Sequence, residues 1–202
     1  VEAMHDELRR EAGFLPVEQL RTIYFGGGTP SLLPPEELEE FIAHAAELFD
    51  CTVLEECTVE ANPDDLTPDY LRRLARTRVD RLSIGVQSFD DGELRLMNRR
   101  HTADAARKAV RQAQEAGFGN VTVDLIFGVP GFGAATLARN LRETVALGVQ
   151  HVSAYHLTVE PQTAFGRRMA QGRFSPVTEE TSEEEFLTVH RTLRDAGFEH
   201  YE

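Results

Sequence analysis

Apolar residues recur along this chain in two alternating rhythms. One has a helical period and ends in glycine. The other is a short run with one apolar face, beginning within a few residues of that glycine. Glu11-Ala12-Gly13-Phe14 leads to a run at 22–27, and Glu115-Ala116-Gly117-Phe118 leads to 120–127. Ala146-Leu147-Gly148-Val149 leads to 151–157, and Asp195-Ala196-Gly197-Phe198 leads to a last short stretch ending at Glu202. Glycine after a helix supplies the left-handed cap that turns the chain into the next strand. Helix starts are marked too. Thr67-Pro68 sets a capping threonine before a proline at the first helical position, and Ser182 and Glu185 have the spacing of a capping box. Pro34-Pro35 opens a helix whose apolar face is Leu38, Phe41, Ile42, Ala45, Leu48 and Phe49. Val1, Met4, Leu8 and Ala12 share a helical stripe at the start of the chain. Strands are expected at 22–27, 57–62, 81–87, 120–127 and 151–157, each followed by a helix. That alternation builds a parallel sheet, open or closed into a barrel.

The strand faces separate these two forms. In 57–62 one face is Cys57, Val59 and Ala61, and the other is Thr58, Glu60 and Asn62. In 81–87 Leu82, Ile84 and Val86 oppose Ser83, Gly85 and Gln87; in 120–127 Val121, Val123, Leu125 and Phe127 oppose Thr122, Asp124 and Ile126. A sheet covered by helices on both sides would be apolar on both faces. A fully packed eight-stranded barrel would fill its interior with Val, Ile and Leu. One apolar and one polar face favour a wide or incomplete α/β barrel with helices outside and a polar ligand inside.

Length and charge narrow the partners. The chain has 202 residues, enough for one domain with a sizeable core. It carries 34 acidic against 21 basic residues, a net charge of −13, opposite to a nucleic-acid-binding surface. The acidic runs at 36–40 and 179–185 read as solvated helix faces. No apolar run reaches the ~18 residues of a membrane span. Two cysteines, Cys51 and Cys57, make no disulfide scaffold and fit a reducing cytoplasm. The chain opens inside a helix and stops at the start of a strand. The expectation is one domain, 1–202, cut at both ends from a longer protein.

Several residues carry chemistry. Gly26-Gly27-Gly28-Thr29-Pro30 follows the first strand, where bare backbone can meet a ligand or simply make a tight turn. It lacks the Lys-Ser or Lys-Thr of a P-loop and the spacing of a dinucleotide fingerprint. Glu60, Gln87 and Asp124 share the inward face of successive strands. Buried carboxylates are costly unless paired, so these three form either a structural polar network or a site for a ligand with cationic and hydroxyl groups. Arg99 precedes the next helix and can fork onto a ligand carboxylate or sit on the surface. His101 beside the helix cap reads as a turn residue. His151 and His156 lie on opposite faces of one strand, and Cys57 points to the helices as a small hydrophobe. No zinc spacing or Ser-His-Asp arrangement stands out, and metal ligands are not expected in the chain.

Six segments, in order, carry a resemblance. They are Tyr24-Phe25-Gly26-Gly27-Gly28-Thr29-Pro30-Ser31-Leu32-Leu33, Val59-Glu60-Ala61-Asn62-Pro63 and Arg81-Leu82-Ser83-Ile84-Gly85-Val86-Gln87-Ser88-Phe89. Arg100-His101-Thr102, Val123-Asp124-Leu125-Ile126-Phe127-Gly128-Val129-Pro130 and Ser153-Ala154-Tyr155-His156-Leu157-Thr158 follow. Together the chain resembles the coproporphyrinogen III oxidase-like radical SAM proteins. The resemblance implies a partial (β/α)6 TIM-like barrel that binds S-adenosylmethionine. It implies that Gly27, Gly28, Thr29 and Glu60 hold the methionine amino group. Gln87 and Asp124 would reach the ribose hydroxyls, Arg99 would pair with the carboxylate, and Thr158 would lie near the adenine or ribose. No catalytic residue is assigned.

Two departures qualify it. The family's Cys-x-x-x-Cys-x-x-Cys loop, which holds a [4Fe–4S] cluster, is absent, and Cys51 and Cys57 do not replace it. Pro130-Gly131-Phe132-Gly133 stands where Gly-Gln-Thr is expected after the proline. Within the family, Arg100-His101-Thr102 and Tyr155-His156-Leu157-Thr158-Val159-Glu160 resemble the haem-chaperone branch, which implies haem and haem-recipient proteins as partners. The oxygen-independent coproporphyrinogen dehydrogenase of haem synthesis is the alternative, followed by another radical SAM activity or an unrelated barrel enzyme such as a sugar-phosphate lyase.

Overall fold

A computed structural model describes residues 1–14, 16–17 and 19–201. The chain begins with α1 (Glu2–Glu11), β1 (Thr22–Phe25), α2 (Pro35–Leu48), β2 (Glu56–Ala61) and α3 (Pro68–Leu74). It continues through β3 (Arg81–Gln87), α4 (Asp91–Leu96), α5 (Ala103–Glu115), β4 (Asn120–Phe127) and α6 (Ala134–Ala146). It ends with β5 (His151–His156), α7 (Ala164–Ala170) and α8 (Glu179–Asp195). The five strands form one sheet in chain order, every neighbour parallel. Among the described residues β1 and β5 do not meet, so the sheet is a partial barrel with two free edges.

The apolar strand faces make the core. Cys57, Val59, Leu82, Ile84, Val86, Val121 and Val123 are all buried, and they form one cluster with Leu38 and Ile42 of α2 and Leu71 and Leu74 of α3. α5 adds Ala106, Ala109, Val110 and Ala113, small side chains that let a helix lie close to the sheet. Truncating a fully buried residue such as Leu82 to alanine costs about 2–5 kcal/mol. With one face spent on the helices, the other is left to polar residues.

The punctuation holds with corrections. Gly117, Gly148 and Gly197 take left-handed φ values of 102°, 66° and 92° as helix caps. α1 instead ends through Ala12 in right-handed geometry, and Gly13 needs no such turn. Thr67 caps α3, accepting from Tyr70 N–H at 3.1 Å. The cap of α8 is Thr178, which accepts from Thr181 N–H at 3.2 Å, not Ser182. Glu179 and Glu180 occupy its first turn, where acidic side chains suit the helix dipole. Glu185, expected on a solvated face, is buried and accepts from Gly128 N–H at 2.7 Å. β1 ends at Phe25, because Gly27 and Gly28 turn out of extended geometry. Residues 198–201 form no strand, and Glu202 lies outside the described residues. Among the described residues no helix is long and apolar enough to cross a membrane.

Candidate functional site

The concave face is layered. At the amino ends of the strands Arg81 donates to both Glu56 carboxylate oxygens at 3.0 Å and to Thr122 Oγ1 at 2.9 Å. Thr58 donates to Glu56 at 2.9 Å. Every charge there has a partner on a neighbouring strand, and this end is closed.

The carboxyl ends are built differently. Gly27 and Gly28 have φ values of 74° and 61°, two successive left-handed residues that only glycine adopts readily. They curl the rim so that Gly27 N–H donates to Glu60 Oε2 at 3.1 Å. The other Glu60 oxygen accepts from Tyr24 Oη at 2.8 Å. Burial, then the hydrogen bond and charge of Glu60, push the Tyr24 hydroxyl up to about 12, so it remains a donor. Ser83 donates to Asp124 Oδ1 at 3.2 Å. Burial raises the Asp124 pKa and Glu60 adds to it, while the Ser83 hydrogen bond and Arg99 oppose the rise.

Arg99 reaches the site through a helix ending. Asn98, at φ 57°, turns the chain after α4, Asn98 N–H donates to the Arg95 carbonyl, and Arg99 N–H donates to the Leu94 carbonyl at 2.8 Å. This is the Schellman closure, with asparagine in glycine's place. Among the described residues the Arg99 guanidinium makes no hydrogen bond and no ion pair within 4 Å. Burial lowers its pKa, against the pull of Asp124. A cation in such a setting can take an anionic partner from outside the described residues.

These groups share one cavity of about 170 Å³, which gathers Gly28, Thr29, Glu60, Gln87, Arg99 and Asp124. Gly27 touches it through Glu60. Thr158 lies beyond the end of β5 and is not in the lining. Asn62, Ser83 and Gly85 join the lining, and all three sit on the polar faces legible in the sequence. Tyr24 stands outside the lining and reaches it through its hydrogen bond to Glu60; it is two residues from Thr22 on the same face of β1, a position that alternation marks. A larger hollow of about 740 Å³ runs between β5 and α8, along the free edge of the sheet. It lacks the convergent charges of the smaller cavity, so the chemistry points to the smaller one.

Cys57 is buried among the helices, and burial pushes its thiol up to about 12. Cys51 is partly exposed, and its thiol is also raised by burial. Among the described residues no three His, Cys, Asp or Glu side chains are grouped to hold a metal. His101, expected as a turn residue, is buried with Nε2 2.9 Å from the Val86 carbonyl.

The family model of the radical SAM superfamily matches residues 3–144. The chain belongs to the radical SAM superfamily. It is 36% identical over 202 residues to the heme chaperone HemW of Lactococcus lactis, covering 100% of this chain and 53% of that protein. It is 36% identical over 184 residues to the heme chaperone HemW of Bacillus subtilis, covering 91% and 48%. The chain therefore spans about half the length of these curated relatives. Among solved structures it resembles coproporphyrinogen III oxidase (HemN) from Escherichia coli, a radical SAM enzyme, with a TM-score of 0.82. Identity there is 23%, over 98% of this chain and 45% of that one, so this likeness speaks for the fold alone.

Membership of the superfamily implies S-adenosylmethionine and a [4Fe–4S] cluster. The cavity fits the first: carboxylate and glycine backbone for an ammonium, a free guanidinium for a carboxylate, amide and carboxylate for hydroxyls. It does not fit the second. A cluster needs three or four thiolates together, and a buried, protonated Cys57 with a separate Cys51 cannot supply them.

Proposed function

We propose that this cavity binds S-adenosylmethionine, and that residues 1–202 are the core domain of a longer haem chaperone of the HemW type. The observation that carries the first part is the unpaired, half-buried Arg99 facing Asp124 and Glu60 across one small cavity. A zwitterion with ribose hydroxyls satisfies all of these groups at once. Glu60, fixed by Tyr24 and Gly27, receives the ammonium together with Gly28 and Thr29. Arg99 forks onto the carboxylate. Gln87 and Asp124 take the ribose hydroxyls, and Thr158, outside the cavity lining, would lie near the adenine or ribose. S-adenosylmethionine, when bound, would supply a sulfonium-activated carbon, and this chain's residues would orient it.

The chaperone reading is supported by the 36% identity to relatives named as haem chaperones and by the Arg100-His101-Thr102 and 155–160 segments. Its partners are haem and haem-requiring recipient proteins. The free cysteines favour the cytoplasm.

Two experiments test these parts. Charge-assisted hydrogen bonds contribute about 1.5–3 kcal/mol each. Arg99→Ala in the full-length protein should therefore weaken S-adenosylmethionine binding by roughly ten- to a hundredfold, at 1.4 kcal/mol per decade. Unchanged affinity in calorimetry removes Arg99 from the site. For the function, the full-length, cluster-reconstituted protein is given haem and coproporphyrinogen III anaerobically with reductant. Haem retained through gel filtration and passed on unchanged is expected. Protoporphyrinogen formed over multiple turnovers, with no haem retained, replaces the chaperone by the dehydrogenase.

A further inference from the structure

The cavity depends on a turn that strand alternation does not require. On β4, Ile84 pairs with Val123 but Gln87 pairs with Leu125, so β3 carries one residue more than its partner. The excess is absorbed at Gln87, whose φ is 67°. Ser88 N–H donates to the Val86 carbonyl across it at 2.8 Å. A bond between residues two apart around a positive-φ centre is the rare, strained form of γ-turn. Strain of this kind persists only where surrounding structure enforces it, and it gathers at ligand sites. Here it lays the Gln87 amide over Gly85, with its nitrogen 3.0 Å from where a Cβ on Gly85 would stand, facing Arg99 and Asp124.

Two sets of contacts enforce the turn. On one side Ser88 Oγ donates to the buried Glu93 carboxylate at 2.5 Å, and Asn140 bonds Ser88, Glu93 and Phe89 N–H. On the other side is His101, which is 5% exposed and does not line the cavity. Its Nε2 stands 2.9 Å from the Val86 carbonyl. A carbonyl oxygen only accepts, so Nε2 carries the proton. The Val86 carbonyl thus receives both Ser88 N–H and His101 Nε2–H, and it belongs to the peptide plane whose tilt sets φ at Gln87.

We infer that His101 is a positioning residue for the ligand cavity: its Nε2–H holds the Val86 carbonyl so that Gln87 stays in the left-handed turn with its amide on the hydroxyl-bearing part of the ligand. The last clause rests on the cavity being the S-adenosylmethionine site; the conformational part does not. The histidine acts through the backbone and touches no ligand atom.

The test has a ligand-free arm and a ligand arm, both on the full-length protein. In the wild type, long-range ¹H–¹⁵N spectra should show the Nε2–H tautomer of His101; an Nδ1–H tautomer overturns the inference. The nuclear Overhauser contact between the Gln87 side-chain amide and Gly85 should vanish in His101→Leu and return in His101→Gln, which restores a donor at the same reach. Persistence of that contact in His101→Leu also overturns it. Should His101→Leu not fold, His101→Asn, whose amide is shorter, takes its place. In the second arm S-adenosylhomocysteine is titrated calorimetrically. His101→Leu should weaken binding about three- to tenfold, the reach of one hydrogen bond, and His101→Gln should restore it to within about twofold. In a Gln87→Ala background the same substitution should change affinity by less than about twofold. Equal losses in both backgrounds mean a merely structural role and refute the inference. If the wild type binds no S-adenosylhomocysteine, the cofactor reading fails, and the tautomer and the Gln87 contact decide the role of His101.

Discussion

At the amino ends of the strands the concave face resolves its own charges: Arg81 grips Glu56, and Thr58 and Thr122 complete the knot. At the carboxyl ends, further along the same strands, the charges are displayed without being resolved. Asp124 has a serine, Glu60 has a tyrosine and a backbone N–H, and among the described residues Arg99 makes no ion pair. Both ends hold acid and arginine within one polar lining. What separates them is whether the protein completes the pairing or leaves it to a ligand. Composition of a polar interior therefore does not distinguish framework from site; the state of pairing does.

That contrast can be broken at either end. The largest effect is expected at the closed one. Arg81→Met leaves a half-buried Glu56 without its cation and should cost about 3 kcal/mol in urea denaturation. A loss below about 1 kcal/mol would show that the knot is ornamental. At the open end the sign reverses. Asp124→Asn removes a carboxylate whose pKa burial has raised. The folded state binds that proton more tightly than the unfolded state does. Asp124 therefore subtracts stability as pH rises from the ordinary carboxylate range through its folded pKa, and the penalty is fully present above it. The variant should be about 1 kcal/mol more stable at pH 7, with the gain fading as pH falls toward that range, read as Tm against pH. A gain independent of pH would refute the electrostatic origin. Arg99→Leu should leave stability within about 0.5 kcal/mol while abolishing half the site's charge complementarity. The smallest effect sharpens the boundary of the site from the helix side. At pH 8 a thiol reagent should modify Cys51 and spare Cys57 until the chain unfolds, since burial keeps the Cys57 thiol protonated.

Much of this is legible in the sequence alone. Alternation places Glu60, Gln87 and Asp124 on one face, and the left-handed caps at Gly117 and Gly148 announce β4 and β5. Arg99 was legible as a cation near a helix cap, but not the Asn98 closure that aims it, because asparagine is a less common left-handed cap than glycine. Glu56 stands one residue before the run at 57–62 that alternation predicts, so the knot with Arg81 has no partner visible in the sequence. His101 and Glu185 were misjudged for a common reason. Each is buried by a hydrogen bond to a backbone group distant in sequence, Val86 and Gly128, and such bonds leave no periodic trace. Ser182 and Glu185 matched a capping pattern in spacing only; the threonine ahead of the two leading glutamates took the helix start instead.

The order of the strands bears on how the protein is born. Each strand pairs with the one just before it in the chain, roughly 30 residues earlier. Among the five described strands none waits for a partner made later, and none is threaded between two already in place. At a synthesis rate of about 5–20 residues per second, each strand emerges some 2–6 seconds after the partner it needs. That interval far exceeds the time in which a helix forms or a short chain collapses. The sheet can therefore grow on the ribosome one strand at a time. The site would mature in the same sequence: the glycine rim first, then Glu60, then the strained Gln87 turn with Arg99 and His101, and last Asp124, when β4 docks on the strand that already carries the turn.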